Sequence, residues 1–122
     1  MEIENVEFLP VGSFVLLNGG KKRIMIISRA IAMKLDGENV YFEYGGCTYP
    51  EGLLGDAVAY FNNEDVAEVL VRGYADEEEE TMVNNLNLAI SAGGFRKITP
   101  AEWNEAKKKG GIILNPDGRE IR

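Results

Sequence analysis

The sequence predicts an α+β fold: a small curved antiparallel sheet or SH3-like barrel followed by two C-terminal helices. Three observations carry this. Strand-forming segments alternate with short turns containing Gly and Asn over residues 11–74. At Asp76 the spacing becomes helical, and two N-cap signals follow. The length, 122 residues with 45% apolar side chains, suits one compact domain.

The elements follow in order. Residues 11–17 are apolar strand formers, and Asn18-Gly19-Gly20-Lys21-Lys22 reads as a turn because Asn and Gly tolerate positive φ. Residues 23–31 return as a strand whose unbroken apolar run predicts burial on both faces. Asp36-Gly37 is a second turn, and residues 40–44 are a third strand, ended by Gly45-Gly46. Residues 47–55 read as a loop in which Pro50 keeps Tyr49 extended and Gly52 permits a reversal. Residues 57–61 form a short strand, 62–65 a single helical turn, and 67–74 a last strand near an edge.

Asp76 and Glu79 have the spacing of a capping box, and Glu77 to Glu80 oppose the positive end of the helix dipole. Met82, Leu86, Ala89 and Ile90 predict the apolar stripe, and Gly93-Gly94 the stop. The second helix has Thr99 as N-cap, Pro100 at the first position, Glu102 closing the box, and Ile98 and Trp103 as a staple. Glu105 and Lys109 form an i,i+4 pair, and Gly110-Gly111 ends the helix. Residues 112–121, with Asn115-Pro116-Asp117-Gly118 as the turn, suggest a terminal hairpin. The organisation expected is one domain, 1–122, with a β-core over 8–75 and a helical extension over 76–122.

Composition narrows function by exclusion. The chain has 13 basic and 20 acidic residues, net −7, so its field repels phosphate backbones and general nucleic-acid binding is disfavoured. It has no His and one Cys, Cys47. That disfavours zinc chemistry, Ser-His and Cys-His hydrolysis and disulfide stapling, so no metal, cofactor or catalytic set is assigned. The N-terminus is acidic where a signal peptide is basic, and no apolar run approaches the ~20 residues of a membrane helix. A cytoplasmic location without membrane attachment is expected.

Candidate motifs each have a plain structural explanation. Asn18-Gly19-Gly20-Lys21-Lys22 lacks the outer Gly and the Ser/Thr of a phosphate loop and reads better as a hairpin turn. Lys21-Lys22-Arg23 with Arg29 suggests a local basic patch or a solvated turn. Cys47 has no His to activate it and reads as a structural thiol. The Glu77 to Glu80 run suits a cation or a basic partner, but dipole compensation explains it as well. The aromatic set Tyr41, Phe42, Tyr44, Tyr49, Tyr60, Phe61 and Tyr74 is more informative. Adjacent strand residues point to opposite faces, so Tyr41 and Phe42 cannot both enter the core of a one-sided sheet. Either some aromatic surface remains near Tyr49-Pro50-Glu51-Gly52, where Tyr suits partner contacts, or these rings simply cover the ends of the small barrel.

The segment Leu9-Pro10-Val11-Gly12-Ser13-Phe14-Val15-Leu16-Leu17-Asn18-Gly19-Gly20-Lys21-Lys22-Arg23-Ile24-Met25-Ile26-Ile27 resembles the opening of the domain-of-unknown-function family four-one-seven-six. The resemblance continues through Tyr49-Pro50-Glu51-Gly52-Leu53-Leu54 and Phe61-Asn62-Asn63-Glu64-Asp65-Val66, and covers about residues 8–75. It implies an accessory role beside type VII secretion and LXG-type toxins in Gram-positive bacteria: a cytoplasmic chaperone or targeting partner for a toxin before export. It implies no enzymatic activity.

Together these expectations make the chain a non-catalytic protein-binding accessory, with Tyr44, Tyr49, Pro50, Glu51 and Tyr74 at the contact surface. The partner is a secreted toxin or a secretion component. An alternative is an immunity protein or inhibitor whose acidic surface neutralises a toxin effector domain. A third reading, a small enzyme using Glu, Lys and Tyr, requires a pocket holding at least two convergent polar groups. Exposed strands and aromatics are also compatible with a homodimer.

Overall fold

Two long strands carry the architecture. In the computed structural model, which describes residues 5–109 and the strand pair 113–114, β2 (Arg23–Leu35) and β3 (Glu38–Tyr49) form an extended hairpin. Asp36 and Gly37 turn it, both with positive φ. β1 (Phe14–Leu17) lies on the outer side of β2, and β5 (Val66–Val71) on the outer side of β1. β4 (Ala59–Phe61) flanks the other side of β3, giving the order β4-β3-β2-β1-β5. Neither end of this path meets the other, so the sheet is open rather than a closed barrel. β5 is an edge strand, as its position in the sequence suggests.

Two short strands lie off the main path. β6 (Arg96–Lys97) adds to β3 in parallel, with Val40 opposite Arg96, and β7 (Ile113–Leu114) pairs antiparallel with β2. The expected turn at 115–118 and the returning strand at 119–121 lie outside the described residues. So does the stop at Gly110-Gly111.

The third strand does not stop at Gly45-Gly46, as the sequence suggests; it runs through both glycines to Tyr49. A Cβ on Gly46 would lie 2.6 Å from Ile24 Cγ2 and 2.8 Å from the Met25 carbonyl oxygen. These glycines serve close approach rather than a turn. Opposite them, Ile27 is an extra residue between the Ile26–Gly46 and Ser28–Gly45 pairs. Such a bulge bends and twists the hairpin. The first strand is shorter than expected, because Ser13 N–H bonds back to the Pro10 carbonyl and Gly12 has a φ of 90°.

α1 (Glu77–Gly93) begins with Asp76 accepting the Glu79 N–H and ends at Gly94 in the left-handed region. Only half of the predicted capping box forms, because the Glu79 carboxylate turns to Arg29 instead. The stripe is also rotated from the predicted one. Val83, Leu86 and Ile90 pack on the core and Asn87 is buried, whereas Met82 and Ala89 are exposed. α2 (Pro100–Lys108) follows its sequence signals closely. Thr99 accepts the Glu102 N–H, and Ile98 and Trp103 are buried together. The Glu102 carboxylate bonds Arg96 rather than its own cap.

Two apolar clusters result. The first, Phe8, Leu9, Val15, Ile24, Ile26, Tyr44 and Phe61, is covered by α1. The second, Met33, Leu35, Val40, Phe42, Ile98 and Trp103, is completed by α2. β3 feeds both, which resolves the aromatic question. Tyr41 and Phe42 are both buried because both faces of β3 are covered there. Among the described residues, no helix is long and apolar enough to cross a membrane.

Candidate partner-binding surface

The residues expected at a contact surface separate into three places. Tyr44 is fully buried, which corrects its placement at the surface. Its ring packs at 5.4 Å against Phe61 and its hydroxyl accepts the Leu9 N–H at 2.8 Å. The same hydroxyl donates to Asn63 Oδ1 at 2.6 Å. Burial raises its pKa, partly offset by the Leu9 hydrogen bond. Tyr44 therefore fastens the N-terminal segment to the sheet and has no face for a partner.

Tyr49, Pro50 and Glu51 do lie together at the surface. Tyr49, 42% exposed, ends β3, and the loop beyond it carries Leu53 and Leu54, exposed by 52% and 64%. The loop is pinned from several sides. Gly52 adopts a φ of 77° and donates its N–H to the Thr48 carbonyl at 2.8 Å. The Tyr49–Pro50 peptide bond is cis, a geometry that the extended-turn expectation did not include. Tyr49 meets the edge of Phe14, with ring centroids 5.1 Å apart, and the Arg23 guanidinium sits 4.9 Å over the Tyr49 ring. Lys22 forms an ion pair with Glu51, and that hydrogen bond holds the Glu51 carboxyl below its usual pKa. Lys22 and Arg23 of the basic tip are thus used to position the loop. Arg29, which the sequence suggests as part of the same patch, lies elsewhere, its side chain buried against Glu79.

Tyr74 stands apart, 84% exposed beyond β5, with its hydroxyl donating to Asp76 Oδ2 at 3.1 Å. Close by is an open cleft of about 620 Å³ lined by Phe8, Pro10, Arg72, Asp76, Glu77 and Glu80. A second open cleft, about 650 Å³, contains Tyr41, Glu43, Asn63 and Lys97. Its polar groups serve the fold. Glu43 accepts the Asn63 N–H at 2.7 Å, and Lys97 Nζ lies 3.0 Å from Glu64 and 3.7 Å from Glu43. Asn62 continues the network, accepting the Glu43 N–H and donating to the Ile98 carbonyl at 2.6 Å.

Sequence reasoning missed the apolar sheet face beside the loop. Residues directly opposite in antiparallel pairs share a face. The register aligns Val71, Phe14, Met25 and Cys47 in one row across four strands. In the next row Glu68 is opposite Leu16 and Arg23 is opposite Tyr49. Val15 and Ile24 point the other way, into the first cluster. Cys47, read as a structural thiol, is 98% covered in this face, with 2% exposure. A plain period-two count in the sequence fails here because β5 has two extra residues, Ala67 and Leu70, against β1.

No characterised protein and no solved structure matches the chain. One family does, described as Domain of unknown function (DUF4176), over residues 8–82, from the buried Phe8 to the first turns of α1. That match covers more than half of the sequence, and the chain belongs to the DUF4176 family.

Proposed function

We propose that this chain is a non-catalytic protein-binding accessory, a cytoplasmic chaperone or targeting partner for a type VII-secreted LXG-type toxin. The observation that supports this best is the Tyr49–Leu54 loop. It presents Tyr49, Leu53 and Leu54 to solvent while the Phe14 ring, Arg23, Lys22 and the Thr48 carbonyl restrain it. Restrained apolar groups lose little entropy on binding, so such a loop is suited to a partner.

Co-expression with the LXG-type toxin of the same genome, followed by affinity capture, tests the reading. The intact chain should retain the toxin's helical export region. The variant Tyr49→Ala/Leu54→Asp should bind at least about tenfold more weakly, a change of ~1.4 kcal/mol, while circular dichroism shows the fold retained. Absence of a complex at micromolar concentration would overturn the proposal.

A second reading, an immunity protein, is favoured by the cleft near Tyr74, where Asp76, Glu77 and Glu80 outnumber Arg72 and share the lining with Phe8 and Pro10. It requires binding to the toxic effector region and protection of cells, whereas the first requires neither. Mapping the bound toxin fragment separates the two.

A further inference from the structure

We infer that the open sheet face formed by β5, β1 and β2 is a self-association surface, and that two copies pack face to face about a two-fold axis running along β1. This goes beyond the partner reading and does not depend on it.

The face is apolar where it should be and charged in a self-complementary way. Phe14 and Leu16 of β1 are half-buried and lie along its middle. Val71, 56% exposed, is opposite Phe14 on one side, and half-buried Met25 is opposite on the other. In the adjacent row, Glu68 of β5 is opposite Leu16, and the register of β1 with β2 continues from Val15–Ile24 to put Arg23 across from Leu16 on the other side. Both Glu68 and Arg23 are exposed. Among the described residues neither makes an ion pair; Arg23 rests on the Tyr49 ring in the field of Glu51.

An axis lying between two stacked sheets and parallel to the strands exchanges left and right without moving residues along the strand. β1 then stacks on the β1 of the second copy, so Phe14 and Leu16 meet their own counterparts. The Val71 position of one copy falls over Met25 of the other. Glu68 of each falls over Arg23 of the other, twice by symmetry. An apolar centre with opposite charges at positions the axis interchanges makes the patch self-complementary, as an isologous interface must be. A foreign partner places no such condition on Glu68 and Arg23.

The two bulges in β5 argue for stacking rather than edge-to-edge pairing. Ala67 and Leu70 interrupt the regular spacing of backbone groups along the outer edge of β5, which blunts it as a template for another strand. Side chains are left as the means of contact. Three strands at ~4.8 Å spacing give a face smaller than the roughly 800 Å² per partner of a standard interface, so the dimer should be weak and concentration-dependent.

Sedimentation velocity on the purified full chain, from about 5 to 200 μM, tests this in the range such an interface predicts. A concentration-dependent monomer–dimer equilibrium is expected. Arg23→Glu and Glu68→Arg should each weaken the dimer at least about tenfold by setting like charges against each other. The double variant Arg23→Glu/Glu68→Arg should restore it to near the original affinity. Val71→Asp, at an exposed position, should abolish dimer while circular dichroism stays unchanged. A wild-type chain that is monomeric throughout, or single variants that dimerise unchanged, would refute the inference. So would failure of the double variant to recover while remaining folded.

Discussion

Removing the Glu79 carboxylate should loosen the attachment of α1 to the sheet more than any exposed ion pair could. Arg29 and Glu79 keep only 7% and 17% of their side-chain surface exposed. The guanidinium grips the carboxylate with two parallel bonds, one of 2.8 Å from Nη2, and a third donor contact reaches the Leu9 carbonyl at 3.4 Å. This pair joins β2 to the first turn of α1 across 50 residues of sequence. In Glu79→Ala the guanidinium would keep only the long Leu9 contact at a largely buried position. Stranding one member of a buried pair costs about 3–5 kcal/mol, against a total stability of roughly 5–15 kcal/mol for a domain. The cap survives, because Asp76 bonds the Glu79 backbone N–H rather than its side chain. Urea unfolding followed by fluorescence of Trp103, the chain's one tryptophan, reads the effect, since that ring is buried in the second cluster. The paired replacement Arg29→Met/Glu79→Leu should recover most of the loss, since no stranded charge remains. A Glu79→Ala loss below about 1 kcal/mol, the range of a surface pair, would show that Arg29 is not desolvated and would refute the reasoning.

Three further outcomes follow from the same geometry. Tyr44→Phe leaves the buried Leu9 N–H without its acceptor and should cost about 1–3 kcal/mol in the same assay. Gly46→Ala forces a methyl against Ile24 and the Met25 carbonyl and should lower stability by at least about 1–3 kcal/mol, visible as a fall in the thermal midpoint. Acid should destabilise the fold below pH 4.5, the ordinary value for these carboxyls. Arg96 hydrogen bonds hold Glu38 and Glu102 below it, so between that pH and their folded values the unfolded chain binds more protons. The contribution is present above 4.5 and is lost as pH falls through the folded values. In Arg96→Gln the acid limb of a stability–pH curve should flatten.

Local signals were legible where a single residue type has one use. Asp36-Gly37 signals a turn, Thr99-Pro100 opens a helix, and Gly94 closes α1 in the left-handed conformation that glycine adopts most readily. Signals with two uses were misread. Gly45-Gly46 can end a strand or admit a close neighbour, and only the position of Ile24 decides. Met82 and Val83 are both apolar, and a one-residue rotation of the stripe moves Met82 into solvent because buried Asn87 sets the facing side, bonding the Val6 backbone through both amide atoms. Pairings across long sequence separations left no local trace. The addition of Arg96–Lys97 to β3 and the Arg29–Glu79 pair are of this kind. The exposure of the Tyr49-Pro50-Glu51 loop could be read from its composition. Tyr44 could not be separated from it, since a Tyr with a buried hydroxyl looks the same in sequence as one facing water.

Isothermal calorimetry of the purified chain against the LXG-type toxin's helical region is the most direct test of a recognition role for the loop. Saturable one-site heat, abolished when Tyr49 and Leu54 are replaced but kept when Tyr74 is, agrees with the account. Heat that is absent, or indifferent to the loop, contradicts it.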